Sequence, residues 1–111
     1  MKRSKIELVL EYFKNFTDKN LDALGNMFAD EVKLTDWNIK AVGKQQVLNE
    51  NKSIFDNVGN INILVNNMAK DGDAVFSEIQ VVLDEGIPIK VVDIIFFDMH
   101  NKIVEIKAYK Q

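Results

Sequence analysis

The chain has 111 residues, with 14 Lys and Arg against 17 Asp and Glu, a net charge of −3, one His and no Cys. This length predicts a single domain over residues 1–111, and the acidic balance argues against nucleic-acid binding, which requires a basic surface. The lack of Cys and the presence of His100 alone exclude disulfide frameworks, thiolate metal sites and multi-histidine centres, so we expect neither metal nor cofactor.

The chain begins with helical periodicity. Apolar residues recur every three or four positions from Ile6 to Phe16, which predicts a helix with one apolar face. Ser4 is placed to cap the N-terminus of this helix, and Glu7, three residues later, completes the pattern of a capping box.

Two further helices are predicted before the period changes. Residues 21–28 form a short one, and a third follows Gly43 with Val47 and Phe55 on a common apolar face. Asn51 falls in the middle of that face. A polar side chain there is either hydrogen-bonded within the core or lines a cavity.

The second half of the chain is rich in Val, Ile and Phe with a period of two, which is typical of strands. Gly-, Asp- and Asn-containing segments stand where hairpin turns would connect them. Helices followed by an antiparallel meander indicate an α+β fold with the helices on one face of the sheet. The predicted strands cover residues 61–68, 74–83, 87–98 and 102–109, with an additional short strand over residues 32–36.

The strand over residues 87–98 is apolar on both faces. Val92, Ile94 and Phe96 share one face, and most of the alternate positions are apolar as well. A strand with one solvent-facing side would alternate, so both faces need cover. The helices cover one face, and a second copy of the chain covers the other most simply, which predicts a homodimer through the outer sheet face. The alternative is a C-terminal strand or loop folded over that face within one chain.

Two carboxylates occupy positions where core residues are expected. The pleat puts Asp36 on the same side as Leu34, and it puts Asp93 on the same side as Val91. A lone buried carboxylate is costly, so it becomes protonated, pairs with a cation or faces a cavity. Taken singly, Asp36 could instead cap a turn at the end of its strand, and Asp93 could mark a bulge or bond to the backbone.

The chain offers few partners for these two groups. Arg3 is the only Arg and lies in the N-terminal tail, so a buried ion pair with arginine is not expected, whereas lysine partners stay possible. Tyr12 lies at the edge of the apolar face of the first helix, beside Phe16. We expect it to be partly buried, with its hydroxyl free to find a partner.

Several short segments spread over the whole chain form a recognisable set. The set consists of Tyr12, LDAL at 21–24, FADEV at 28–32, Asp36, the Gly43–Lys44 step, VDIIF at 92–96 and KIVEI at 102–106. It resembles the nuclear-transport-factor-2-like superfamily, which includes the SnoaL-like polyketide cyclases and ketosteroid isomerase. The resemblance implies a cone-shaped fold, in which N-terminal helices pack on a strongly curved antiparallel sheet and enclose an apolar pocket. It also implies dimerisation through the outer sheet surface.

Within that superfamily, the site pattern of ketosteroid isomerase is similar position by position. The resemblance implies that Asp36 is a general base that abstracts a proton next to a carbonyl. It further implies that Tyr12 and a neutral Asp93 donate hydrogen bonds to the enolate oxygen. The expected ligand is an apolar small molecule. Its pocket is expected to be lined by Phe16, Phe28, Trp37, Asn51, Phe55, Val91 and Ile95.

Three functions follow from this set of residues. The first is a cofactor-independent isomerase or cyclase, the second a non-catalytic protein that binds an apolar ligand, and the third a dimerisation module with a filled pocket. A dehydratase that relies on histidine is not supported, because His100 falls in a predicted turn. An epoxide-hydrolase centre built on Asp-Arg-Asp lacks its arginine. No apolar run approaches the ~20 residues of a membrane span, and no signal peptide is apparent, so we expect no membrane partner and a cytoplasmic location.

Overall fold

The computed structural model describes residues 3–111 as three helices packed on one face of a six-stranded sheet. The α+β class that the sequence predicts is thereby confirmed. In chain order the elements are α1 (Lys5–Thr17), α2 (Leu21–Met27), β1 (Phe28–Thr35), β2 (Lys40–Val42), α3 (Lys44–Asn57), β3 (Ile61–Asp71), β4 (Ala74–Leu83), β5 (Ile89–Phe97) and β6 (Ile103–Lys110).

Helix α1 starts with the capping box that the sequence predicts. The backbone N–H of Glu7 donates to Oγ of Ser4 over 3.1 Å, and the backbone N–H of Ser4 donates to Oε1 of Glu7 over 2.9 Å. Two N–H groups that an isolated helix end leaves without partners are therefore satisfied.

Some element bounds differ from the prediction. Phe28, predicted as the last helical residue, has extended backbone and opens β1, and β2 has only three residues, too few for a periodic signal. Strand β5 begins at Ile89 because Pro88 has no N–H to donate to a neighbouring strand. Ile87, the first residue of the predicted strand, precedes the observed one and is 89% exposed.

The strand order in the sheet is β2-β1-β6-β5-β4-β3. Strands β3 to β6 form the predicted antiparallel meander, while β1 pairs with β6 in parallel and with β2 antiparallel. The sheet is therefore mixed, and it stays open, with β2 and β3 as its two edges. The register is irregular within β3 and between β5 and β6 near Phe97, and irregularities of this kind increase the local twist and bend of strands.

The hydrophobic core lies between the inner face of the sheet and the helices. α1 packs on β3 and β4, and α3 packs on β1 and β2. The fully buried centre is formed by side chains from helices and strands alike, including Val9, Leu24, Val75, Ile95 and Ile103. Burial of this apolar surface is the main force that holds the helices on the sheet.

Two polar contacts secure the C-terminal end of α3. Lys19, in the turn between α1 and α2, extends its Nζ to the carbonyl oxygens of Phe55 and Val58. These are carbonyls that the last helical turn would otherwise leave without donors. Just after α3, the backbone N–H groups of Gly59 and Asn60 donate hydrogen bonds to the Asp84 carboxylate over 3.1 and 2.7 Å. These bonds lower the pKa of the Asp84 carboxyl.

The outer face of the sheet carries apolar side chains that no helix covers. On β5 the inner face holds Val91 and Ile95, while Val92 on the outer face is exposed, so the strand has the two apolar faces that its sequence predicts. Other large apolar residues exposed on the outer face are Leu64, Phe76 and Tyr109.

Among the helices described, none has the length and apolar character that crossing a membrane requires.

Candidate active site

A cavity of about 170 Å³ lies between the inner face of the sheet and helices α1 and α3. Its walls are almost entirely apolar. The charged side chains that line it are Asp36 and Asp93, and the lining includes no Lys, Arg or His. Tyr12 lines the same cavity, so the structure brings together the three residues that the resemblance marks for catalysis.

Tyr12 reaches the cavity from α1 and is only 6% exposed. The partly buried edge position predicted from the helical pattern is therefore wrong. The ring is enclosed by Phe13, Phe16 and Phe28, with centroids 5.7, 6.1 and 6.3 Å away. Burial, and secondarily the charge of Asp93, raises the pKa of the Tyr12 phenol. The hydroxyl thus keeps its proton and is available as a hydrogen-bond donor.

Asp93 reaches the cavity from the inner face of β5. Its neighbours across the two adjacent strands are Ser77 on β4 and Ala108 on β6. Burial, and secondarily the charge of Asp36, raises the pKa of the Asp93 carboxyl to about 7. At neutral pH a large share of this group is therefore a neutral carboxylic acid, which can donate a hydrogen bond.

Asp36 directly follows β1 and opens the turn that leads to β2. Its Oδ1 accepts hydrogen bonds from the backbone N–H groups of Asn38 and Ile39, both at 2.7 Å. The carboxylate thus caps a turn, and it also lines the cavity, so both alternatives for this residue hold together. Within residues 3–111, no donor forms a hydrogen bond with Oδ2, which leaves that oxygen free to accept a proton.

Trp37 stands at the rim of the cavity. The side chain lines the cavity and is nevertheless 45% exposed, so it lies between the interior and the solvent. Nζ of Lys110 lies 5.8 Å from the centroid of its ring, a cation–π distance. The turn that carries Asp36 therefore also carries the large ring at the cavity mouth.

The remaining predicted pocket residues divide into two groups. Phe16, Asn51 and Val91, like Trp37, line the cavity. Phe28, Phe55 and Ile95 are buried in the core and do not line it.

The three residues that were wrongly predicted to line the cavity each have a physical reason to lie in the core. Phe28 lies against the Tyr12 ring, and Phe55 packs edge-on against Phe16 with centroids 4.9 Å apart, so each stands behind a lining side chain. Ile95 faces inward like Asp93, but it lies two residues farther along β5, where the core is solid.

The prediction also omits residues that do line the cavity. Ile79, Val81 and Leu83 alternate along β4, and their period-two phase could have identified them as inward-facing. Ala108 is placed there by its register opposite Asp93, which no local pattern reveals. The other lining residues are Phe13, Leu34, Ile39, Ile54, Ile63 and Ile89.

Two buried polar atoms lack hydrogen-bond partners within the described part of the chain. They are Oδ1 of Asn51 on α3, a residue 2% exposed, and Oγ of Ser77 on β4, which is fully buried. Only Asn51 lines the cavity. Of the two alternatives that the sequence left open for Asn51, the cavity is therefore the one observed.

His100 lies in the exposed turn between β5 and β6 and does not line the cavity. Across residues 3–111, no three His, Cys, Asp or Glu side chains are grouped so that they could hold a metal ion.

The fold of the chain is similar to that of several solved structures. A nuclear-transport-factor-2-like protein of unknown function from Cytophaga hutchinsonii superposes with a TM-score of 0.85 at 14% identity, covering 100% of this chain and 93% of that one. A candidate isomerase of the SnoaL-like family from Agrobacterium tumefaciens gives 0.82 at 9% identity, with 96% of both chains covered. An LEH-like epoxide hydrolase from Mycobacterium tuberculosis superposes with a TM-score of 0.84 at 16% identity, covering 96% of this chain and 82% of that one.

Comparison with curated protein sequences finds no match. The family model of the SnoaL-like domain matches residues 9–106, a span that runs from the middle of α1 into β6. The chain therefore belongs to the SnoaL-like domain family, with the fold of the nuclear-transport-factor-2-like structure from Cytophaga hutchinsonii.

Proposed function

We propose that the protein is a cofactor-independent isomerase or cyclase that moves a proton next to the carbonyl group of a small apolar substrate. The observation that supports this function is the convergence of Tyr12, Asp36 and Asp93 on one cavity whose other walls are mainly apolar. Membership of the SnoaL-like family and the fold shared with a candidate isomerase are consistent with it.

In this reaction Asp36 is the base. Its free Oδ2 takes the proton from the carbon next to the carbonyl, and the C–H electron pair forms a carbon–carbon double bond as the carbonyl π pair moves onto oxygen. The two backbone N–H bonds to Oδ1 hold the carboxylate in one orientation, which limits the entropy lost in reaching the reactive geometry. When the substrate carries a β,γ double bond, the enolate is a dienolate, and Asp36 returns the proton to its γ carbon as the carbonyl re-forms and the remaining double bond becomes conjugated with it.

Tyr12 and Asp93 stabilise the enolate oxygen. Each carries a proton that it can donate, because burial raises the pKa of both groups. Donors in an apolar cavity stabilise a developing negative charge more strongly than water-exposed donors do. The charge on oxygen is greatest near the transition state, so these hydrogen bonds lower the barrier rather than merely tighten substrate binding.

Epoxide hydrolysis, the activity named for the mycobacterial structure, is not favoured. Arg3, the single Arg in the sequence, pairs with Glu11 at 2.6 Å and does not line the cavity. The Asp-Arg-Asp arrangement of such a centre therefore cannot form from the residues that line this cavity.

Proton transfer can be tested with a β,γ-unsaturated cyclohexenone in deuterated water. The wild-type protein is expected to convert it to the conjugated enone and to incorporate deuterium. Ultraviolet absorbance measures the formation of the enone, and NMR measures the deuterium. Asp36→Asn should lower the rate by roughly 10²–10⁴-fold, the usual contribution of a general base. The Asn side chain retains an Oδ1 acceptor for the two backbone N–H groups, so the turn should stay intact. A variant as active as the wild type would remove Asp36 from the base role.

One observation favours a second function, the binding of an apolar ligand without catalysis. The carboxylate of Asp36 already caps the turn before β2, a structural role that requires no chemistry. Native mass spectrometry of freshly purified protein would identify a retained ligand. If this ligand dissociates from the protein chemically unaltered, with no deuterium incorporated next to its carbonyl, the result would favour binding over catalysis. The third alternative, a module with a filled pocket, has less support because the cavity is present.

We propose that two copies of the chain associate through the outer face of the sheet. This face exposes Leu64, Phe76, Val92 and Tyr109, and side chains of that size on one surface favour burial against a partner. Phe76→Glu should shift the protein to monomers in analytical ultracentrifugation, whereas Lys52→Glu, exposed on α3 at the opposite face of the sheet, should not. A wild-type protein that sediments as a monomer at high concentration would refute the dimer. The cytoplasmic location stays a prediction.

A further inference from the structure

The amide of Asn51 is an unusual component of the cavity wall. It lies in the middle of α3, on the same face as Val47 and Phe55, and it is 2% exposed. Among the described residues, Oδ1 finds no hydrogen-bond donor, although most buried polar atoms in proteins have a partner. Leucine would fill the same space without leaving a polar atom unpaired. The amide therefore destabilises the unliganded protein and needs another reason to be there.

The position of Asn51 indicates what its partner is. Asn51 lines the cavity together with Ile54, one helical turn later, while Asp93 lines it from the sheet. Ser77 provides the contrast, because it also has an unpartnered buried oxygen but does not line the cavity. Because the Asn51 side chain borders the cavity, a molecule that fills the cavity lies against it, and such a molecule also contacts Asp93 only if it extends from α3 to β5.

The size of the cavity restricts that molecule further. The volume is about 170 Å³, whereas sites for drug-sized ligands occupy ~300–1,000 Å³. An apolar cavity of ~150 Å³ holds one benzene molecule. One six-membered ring with a few substituents therefore matches the space, whereas a four-ring skeleton of the steroid kind exceeds it.

We propose that the ligand is a monocyclic compound with two polar groups, one facing Tyr12 and Asp93 and the other hydrogen-bonded to the amide of Asn51. This inference rests on the proposed function for the identity of the first group, a carbonyl. The second group is a hydroxyl or carbonyl, since the amide offers both an acceptor and two donors. Asn51 is then the residue that distinguishes this ligand from a plain cyclic ketone of the same size.

Binding of simple phenols tests the second contact without requiring turnover. Phenol places one sp²-bonded oxygen on a single ring, and the three dihydroxybenzenes add a second hydroxyl at each possible position. Isothermal titration calorimetry with the wild-type protein should give a Kd for the best dihydroxybenzene roughly three- to tenfold below that of phenol, the usual effect of one hydrogen bond.

Two variants form a matched pair. Asn51→Leu should abolish the preference, so that the Kd values of phenol and the dihydroxybenzene, both measured with this variant, become equal. Ser77→Ala removes the other unpartnered polar atom and should keep the preference. Thermal unfolding supplies a second measurement, in which Asn51→Leu is expected to be at least as stable as the wild type. A clear loss of stability would assign the amide to the core instead of the ligand.

The outcomes separate this inference from the proposed function. Equal affinities of phenol and all three dihydroxybenzenes for the wild type, or a preference that survives Asn51→Leu, would overturn the role of Asn51 while proton exchange on the cyclohexenone continued. A preference that depends on Asn51 without any proton exchange would support the inference and refute the catalytic function. Failure of every one of these ring compounds to bind at millimolar concentration would overturn the monocyclic size class.

Discussion

The inner face of the sheet has a solid half and a hollow half, built from the same strands. On β5, Ile95 is fully buried in the solid half, whereas Val91 and Asp93 border the cavity. On β4, Val75 is fully buried and Val81 lines the cavity. The strands continue unchanged between the halves, so the difference lies in what packs against them.

Apolar side chains of α1 and α2 fill the solid half, while polar groups border the hollow one. Val9 and Leu24 are fully buried against the sheet, whereas Tyr12, Asp36 and Asn51 carry polar atoms to the cavity wall. Close packing around such atoms would leave them unpaired at a cost of about 1–3 kcal/mol each. The chain therefore concentrates its stability at one end of the strands and its chemistry at the other.

The largest expected effect on stability comes from Asp93, the carboxyl group that borders the cavity from β5. Because the folded protein raises the pKa of this carboxyl from 3.8 to about 7, the native state holds a proton that the unfolded chain releases. The contribution of Asp93 to stability should be complete below about pH 4 and be lost as the pH rises from there through about 7, with a ceiling of about 4 kcal/mol at ~1.4 kcal/mol per pH unit.

Asp93→Asn is the matched variant for this pH dependence, since its amide stays neutral throughout. Urea denaturation at about pH 5 and about pH 8 should show a fall for the wild type and a much smaller one for the variant. A wild type equally stable at the two pH values would mean that Asp93 titrates like an exposed side chain, which would also remove its role as a donor.

The next prediction compares the same substitution in the two halves of β4. Val75→Ala should lower the free energy of unfolding by roughly 2–3 kcal/mol, because it removes about two methylene equivalents and opens a new void. Val81→Ala should cost less than about 1 kcal/mol, because its side chain already borders empty space. Chemical denaturation measures both, and equal losses would show that the hollow half is packed as tightly as the solid one.

The smallest effect concerns the anchor of α3 over the hollow half. Lys19→Met removes the Nζ donor to the Phe55 and Val58 carbonyls and should cost about 1 kcal/mol. Lys14→Met is the matched control, because the ion pair of Lys14 with Asp18 at 2.7 Å is exposed to solvent and contributes little to stability. If the two variants lose the same stability, Lys19 does not secure the helix.

Periodicity accounts for what could be predicted from the sequence. The spacing of apolar residues indicates all three helices, and strand phase puts Asp36 and Asp93 on the inner side, where the structure has them. These features are local, because they depend only on the pitch of a helix or the pleat of a strand. The arrangement of helices around a pocket was predicted from the resemblance to the superfamily and not from periodicity.

The features that could not be predicted depend on contacts distant in sequence. The parallel pairing of β1 with β6 joins segments that are far apart in the sequence. Ile95 and Val91 have the same phase and similar chemistry, so no pattern reveals that only Val91 lines the cavity. Tyr12 is more deeply buried than its helical position indicates, because Phe28 closes over it from a strand.

The position of Trp37 makes the protein its own optical reporter. It is the single tryptophan of the sequence, and it stands at the cavity mouth with one side toward solvent and Lys110 above its ring. Emission excited selectively from tryptophan thus arises from one place, and a molecule that enters the cavity changes the polarity around that indole. Stopped-flow fluorescence can therefore follow ligand entry in the unmodified protein, without a dye, a tag or an engineered residue.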